Sequence, residues 1–139
     1  MTQDFVTITI PLGDRTEWNG LHLADIESAI AQLGNPARGD LARRLRQTHI
    51  VHFLSMHVIA PEAVGRPAHL VIEATVDGSA AKATVAIAAV LGDALLPILR
   101  QTSGIERIGE VLPLLEKHRH RLTDAPFRFP GELAGLPFN

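Results

Sequence analysis

The feature that most constrains the fold of this 139-residue chain is a pair of strand-like segments, 49–60 and 69–77, that are apolar on both faces. Successive residues of a strand point to opposite sides, so each segment presents two faces. The intervening residues 61–67 suit a connection between adjacent antiparallel strands. The even-numbered face is the better core face and comprises Leu54, Met56, Val58, Leu70, Ile72, Ala74 and Val76. The odd-numbered face comprises Val51, Phe53, Ser55, His57, Ile59, Val71, Glu73 and Thr75.

Hydrophobic periodicity predicts helices on both sides of this hairpin and one further strand at each end. Residues 5–10 and 127–129 alternate as strands do. Apolar residues recur every three or four positions over 23–33, 41–45 and 108–115, and an alanine-rich helix over 80–91 is separated by Gly92-Asp93 from another at 94–100. The predicted order is β-α-β-β-α-β in a single domain, 1–139. This is the ferredoxin-like α+β fold, a four-stranded antiparallel sheet with helices on one face.

Composition excludes several classes of function. The absence of cysteine excludes disulfides, thiolate catalysis and cysteine-ligated metal sites. A net charge of −2, with no Tyr, one Trp and five Phe, argues against a nucleic-acid partner. The first residues do not form an export signal, and no apolar run approaches the ~18 residues of a membrane span. We therefore expect no membrane association and a cytoplasmic location.

Several segments together resemble a small ferredoxin-like domain of bacterial proteins, some of them longer chains associated with haem-dependent peroxidase or catalase-like chemistry. The matching segments are the Gly34-Asn35 break, the strands at 52–55 and 70–73, and the Lys117-His118 helix end leading to 127–129. The resemblance implies haem as a candidate cofactor. Related sequences carry arginine in place of Ser55 and a His-Cys-Glu-Gly run in place of residues 101–104. A function that depends on those residues would be lost here.

The candidate catalytic pair is His57 and Glu73 on the odd face. With the loop centred near residue 64, Ser55 lies opposite Glu73 and His57 opposite Val71, which makes His57 and Glu73 diagonal neighbours within reach of each other. A histidine beside a carboxylate is suited to general acid–base catalysis near neutral pH. The alternative is a solvated or interfacial ion pair that only tunes packing.

Other polar residues favour structural roles. His52 falls on the even face, where a lone histidine is more often a buried structural residue than a ligand. Asp77 suits the turn into the next helix. His118 and His120 belong to a cationic helix end that complements the helix dipole, and no third ligand for a metal is evident. Haem ligation by His52, His57 or His69 stays open but has no defined pocket.

The odd face favours association. Val51, Phe53, Ile59 and Val71, with Phe5 from the first strand, form an apolar surface where an exposed sheet is usually polar. Burying each side chain would contribute about 1.5–3 kcal/mol. The first hypothesis is a binding or assembly module that forms a homodimer or docks on a partner protein domain. Alternatives are a small dimeric α+β-barrel enzyme using His57 and Glu73, and a carrier of haem or another small hydrophobic ligand. No catalytic motif decides whether the chain is an enzyme.

Overall fold

A computed structural model describes residues 3–13, 22–33, 40–61, 63 and 65–120. These residues form three strands and four α-helices, the last helix preceded by a 3-10 turn at Ile108–Glu110. In chain order the elements are β1 (Gln3–Pro11), α1 (Leu23–Leu33), α2 (Leu41–Gln47), β2 (Val51–Ile59), β3 (His69–Asp77), α3 (Ala80–Thr102) and α4 (Val111–Lys117).

The sheet is antiparallel with strand order β1-β3-β2, so the prediction of a four-stranded ferredoxin-like sheet is wrong for the described part of the chain. The α+β class is right. The predicted last strand, 127–129, lies outside the described residues. In the described part of the chain a single bridge, between Ile8 and Arg119, lies on the other edge of β1, where residues 118–120 follow the end of α4 at Lys117. Two backbone hydrogen bonds flank the bridge, from Thr9 N–H to the His118 carbonyl (3.1 Å) and from His120 N–H to the Thr7 carbonyl (2.9 Å).

The core lies between the even-numbered face of the sheet and the helices. The apolar side chains of β1 and β3 on this face are buried, as their alternation predicts. The first helix has the predicted extent and buries Ile26 and Ile30, while α2 buries Leu45. The sheet residues in the core are Val6, Ile8, Ile10, Val51, Leu70, Ile72, Ala74 and Val76.

The third helix is one continuous element of 23 residues, whereas the sequence predicted a break at Gly92-Asp93. Ser79 caps its N-terminus by accepting a hydrogen bond from Lys82 N–H (3.1 Å). Gly92 is buried within the helix, and a Cβ at this position would lie 3.2 Å from Ile108 Cδ1 and 3.9 Å from Val111 Cγ1. The glycine therefore permits close packing of the 3-10 turn and α4 against α3, and the helix continues through it.

By length and composition α3 could also cross a membrane, since an 18-residue window reaches a mean hydropathy of 1.8. The expectation that no apolar run approaches this length is therefore wrong. Half of that window is buried inside the domain, and ten residues of the helix are buried. A core helix of this kind satisfies the same criterion as a membrane span.

Candidate functional site

The outer face of the sheet, opposite the helices, carries most of the residues singled out from the sequence. Neighbouring side chains form rows across β1, β3 and β2 because both strand pairs are antiparallel and in register. The predicted pairings of Ser55 with Glu73 and of His57 with Val71 are observed. Four successive rows are Phe5-Thr75-Phe53, Thr7-Glu73-Ser55, Thr9-Val71-His57 and Pro11-His69-Ile59.

Large apolar side chains stand exposed at both ends of this face. Phe5 is 75% exposed and Phe53 is 62% exposed, on either side of Thr75, while Ile59 at the other end is 45% exposed. These three residues are among the large hydrophobic side chains most exposed to solvent in the described structure. Phe5 and Phe53 lie on the same row, on either side of Thr75, whereas exposed apolar residues scattered singly over a surface need no explanation.

Two residues predicted to contribute to the exposed apolar surface do not. Val51 is only 2% exposed and lies in the core, because β2 contains a bulge that places Val51 opposite Val76 and Phe53 opposite Thr75. The extra residue, His52, shifts the alternation by one position. Val71 does belong to the outer face but is only 6% exposed, since it lies in the central strand between Thr9 and His57.

The turn before β2 contributes to this irregularity. The hydroxyl of Thr48 donates to the Leu45 carbonyl (2.6 Å) and accepts from the backbone N–H groups of Ile50 and Val51 (3.2 and 3.3 Å). His49, between them, has a positive φ of 58°. The chain therefore leaves α2 through a tight turn that fixes the start of β2 before the bulge.

His57 and Glu73 lie on the outer face as predicted, and both are exposed. Among the described residues, neither side chain donates or accepts a hydrogen bond, and no ion pair joins them. Efficient acid–base catalysis needs a positioned pair in a site that excludes water. The rows place the two groups as neighbours without forming such a site.

His52 is not the buried histidine that the sequence predicted. The bulge places it at the surface, where its Nε2 lies 2.6 Å from Oδ2 of Asp77. Asp77 ends β3, and Gly78 follows with a φ of 81°, so the turn assignment for this dipeptide is confirmed. The His52–Asp77 pair is an exposed contact across the end of the hairpin, and such pairs contribute little to stability.

The cationic run after α4 separates into residues with different environments. His118 is the C-cap of α4, and partial burial, followed by the charges of Lys117, His120 and His69, lowers its pKa. The Nε2 of His120 lies 2.9 Å from Thr9 Oγ1 at the edge of the outer face. No cluster of three potential metal ligands occurs in the described parts of the chain.

Arg119 has a role that the sequence did not reveal. Its side chain is buried, and its guanidinium donates to Thr84 Oγ1 of α3 (2.9 Å) and to Glu116 Oε1 of α4 (2.8 Å). The sequence of this cationic run indicates only that positive charge lies near the end of a helix. Nothing in the local sequence distinguishes this buried arginine from its exposed neighbours.

Neither of the two cavities described below is lined by His52, His57 or His69. The smaller, about 310 Å³, lies among apolar residues of α1, α2 and β2 and reaches Ser55. The larger, about 680 Å³, lies at the end of the sheet where β1 ends. Neither of these two cavities therefore offers a haem pocket beside the histidines considered as ligands.

Comparisons of the chain with protein-family models, with curated proteins and with solved structures find no significant match. The resemblance to haem-associated ferredoxin-like domains thus stays a prediction.

Proposed function

We propose that the chain is an assembly module that forms a homodimer by packing the outer faces of two sheets against each other. The observation that carries this proposal is the exposure of Phe5 (75%) and Phe53 (62%) on one row of the sheet. Two sheets that pack face to face interdigitate side chains across a layer about 10 Å thick. Each phenyl ring would lose most of its contact with water in such a layer.

The order of the rows suits a second copy of the same chain. A two-fold axis that lies between the sheets and crosses the strands at the middle of the face reverses the order of the rows. Phe53 then lies over Ile59 of the other copy, and Phe5 over Pro11. Apolar side chains meet at both ends of the interface, which is the self-complementarity that a two-fold dimer requires.

Charge favours the same arrangement. An axis parallel to the strands would place the Glu73 side chains of the two copies against each other. An axis that crosses the strands between the Glu73 row and the His57 row separates the two carboxylates by one row, about 7 Å. It also brings each carboxylate within one strand spacing of the other copy's His57. Like charges are thereby kept apart and unlike groups approach.

The size of the face limits the expected affinity. Three strands of nine residues form a face of about 14 by 30 Å. This is smaller than the ~800 Å² that each partner contributes to a standard interface. We therefore expect a dimer with a dissociation constant on the order of 10–100 µM.

Analytical ultracentrifugation of the full chain from about 5 µM to 1 mM tests the proposal. The wild type should shift from monomer to dimer across this range, and Phe5→Ser with Phe53→Ser should remain monomeric. Val85→Ser is the matched control, because Val85 is 50% exposed on α3, away from the sheet face. It should dimerise as the wild type does. A wild type that stays monomeric at 1 mM, or an unchanged double variant, would overturn the proposal.

The orientation has a separate test because the chain has no cysteine. Ser55→Cys places the two thiols on either side of the proposed axis, and a short bismaleimide should join them. Lys82→Cys, in the first turn of α3, should not be joined. Efficient cross-linking at residue 82 with none at residue 55 would contradict the proposed axis.

A further inference from the structure

The larger cavity is formed by four segments that are distant in sequence. Its volume of about 680 Å³ lies within the range of small-molecule sites, about 300–1,000 Å³. It is lined by the end of β1 (Pro11, Leu12, Gly13), the β2–β3 connection (Gly65, Arg66, Pro67), the end of α3 (Thr102, Ser103, Gly104) and α4 with its cap (Leu114, Lys117, His118).

Every ionisable residue in this lining is a base: Arg66, Lys117 and His118. Among the described residues, no aspartate or glutamate lines the cavity, although the chain as a whole has a net charge of −2. Within the described residues neither Arg66 nor Lys117 forms an ion pair. The acid next to Lys117 in sequence, Glu116, pairs instead with Arg119. In the described lining the cavity therefore concentrates positive charge with no carboxylate to neutralise it.

The rest of the lining is largely apolar or small. Pro11, Leu12, Pro67 and Leu114 form apolar walls, and Ser103 adds a hydroxyl group. A free inorganic ion would leave most of this volume unused. We propose that the cavity binds a small organic anion whose charged group meets Arg66 and Lys117 and whose apolar body lies against the proline and leucine side chains.

Helix dipoles offer a competing explanation for the positions of two of these bases, Lys117 and His118. Lys117 and His118 end α4, and Thr102 ends α3, so both helices direct partial negative charge towards this region. Each helix C-terminus carries about half a negative elementary charge. The two helix ends together therefore offset about one cation. Arg66 belongs to a connection and not to a helix, so it has no dipole to complement. Two full cations therefore exceed the two half charges, and the cavity retains net positive character.

His118 supplies a spectroscopic signal from within the cavity. Partial burial lowers its pKa, and the nearby charges of Lys117, His120 and His69 lower it further. A bound anion would stabilise the protonated ring and offset these charges. Occupancy should therefore raise the pKa of His118 as followed by NMR.

The experiment is a calorimetric titration of the full chain with octanoate, octanamide and inorganic phosphate. Octanoate has both a charge and an apolar body, and we expect a dissociation constant on the order of 0.1–1 mM. Octanamide lacks the charge and phosphate lacks the apolar body, so each should bind at least about tenfold more weakly. Octanoate should also raise the pKa of His118.

Two substitutions locate the binding. Arg66→Gln and Lys117→Met should each weaken octanoate binding by about fivefold to tenfold. Lys82→Met is the control, since Lys82 lies near the other end of α3, about 30 Å from Thr102. Phe53→Ser, at a side chain that lies over Ile59 and not over Pro11 in the proposed dimer, should leave octanoate binding unchanged.

The proposal is overturned if octanoate and octanamide bind equally well, or if octanoate does not bind at 10 mM. It is also overturned if the Arg66→Gln and Lys117→Met double variant keeps wild-type affinity while its circular dichroism spectrum is unchanged. That result would mean that Arg66 and Lys117 do not bind the anion, and that they only complement helix dipoles or interact with solvent.

Discussion

At the scale of single residues, the burial of Arg119 has an energetic consequence that can be measured. An arginine side chain that is 6% exposed is tolerated only if its N–H groups find partners. Thr84 and Glu116 provide them from two different helices. The Thr84 hydroxyl can accept from Arg119 because its own proton goes to the Ala80 carbonyl, 2.7 Å away. Arg119 consequently ties the end of α4 to α3 beside the edge of β1.

Thr84→Val tests this contact because it removes the hydroxyl and keeps the shape of the side chain. We expect a loss of about 1–3 kcal/mol in the free energy of unfolding, measured by urea denaturation, since a buried N–H of Arg119 loses its acceptor. Thr102→Val is the control: this buried hydroxyl also donates to a carbonyl one turn earlier, Ile98 (2.9 Å), but accepts from no guanidinium. Equal losses for both variants would contradict the role of Arg119.

Sequence reasoning could place Arg119 at a helix end but could not predict its burial. Its neighbours Lys117 and His120 are exposed and have the same charge pattern. The difference arises from Thr84, 35 positions earlier in the chain. Which of these cations is buried is therefore determined by the tertiary structure and not by the local sequence.

At the scale of elements, the bulge in β2 decides which side chains reach which face. Without it, strict alternation would place Val51 and Phe53 on the same side, as the sequence predicted. With His52 inserted, Val51 faces the helices while Phe53 stays outside. The rest of the hairpin follows the predicted register because the alternation is uninterrupted from Phe53 to Ile59.

Val51→Ser and Phe53→Ser give a paired test of this register. We expect Val51→Ser to cost about 2–3 kcal/mol, because a buried side chain of the core is lost. Phe53→Ser should cost no more than about 0.5 kcal/mol at concentrations where the chain is monomeric. Urea denaturation at about 1 µM measures both values. If Phe53→Ser were the more destabilising change, the bulge would be misplaced.

The elements themselves were largely predictable where local pattern decides them. β3 and α1 have the predicted bounds, and β1 and β2 differ from the prediction only at their ends. The prediction was wrong at Gly92, where glycine was interpreted as a helix break. The glycine instead leaves room for Ile108 and Val111 to pack against α3. Helix propensity, which depends on local sequence, does not reveal this tertiary contact.

At the scale of the whole molecule, His118 couples stability to pH. Its pKa lies below the ordinary histidine value of about 6.5, so between the two values the unfolded chain binds more protons than the folded one. The free energy of unfolding therefore rises with pH up to about 6.5 and this contribution is constant above it. Acidification through the lowered pKa removes the corresponding stability.

Urea denaturation of the wild type and His118→Gln from about pH 5 to pH 8 measures this contribution. The difference in stability between wild type and variant should grow in favour of the wild type as the pH rises to about 6.5. Added salt at about 0.5 M should reduce but not abolish the slope, because it screens Lys117, His120 and His69 but leaves the burial of the ring. A slope of the opposite sign would show that His118 gains a proton on folding.

The two candidate sites differ in how far the sequence could predict them. The outer face was predictable in part, since alternation along β2 and β3 places Phe53, Ser55, His57 and Glu73 together. The cavity was not, because its bases Arg66 and Lys117 lie 51 positions apart and no local pattern links them. Only the meeting of the β2–β3 connection with the end of α4 brings them to one place.

The strand order has a consequence for the time course of synthesis. Among the described strands β1 pairs with β3, and Pro11 lies opposite His69, 58 positions later. At about 5–20 residues per second, the ribosome needs about 3–12 s to add that length of chain. During this interval Val6, Ile8 and Ile10 have left or are leaving the ribosome without their strand partner. The nascent chain therefore carries an unpaired apolar segment for seconds, a natural binding site for a chaperone that acts during translation.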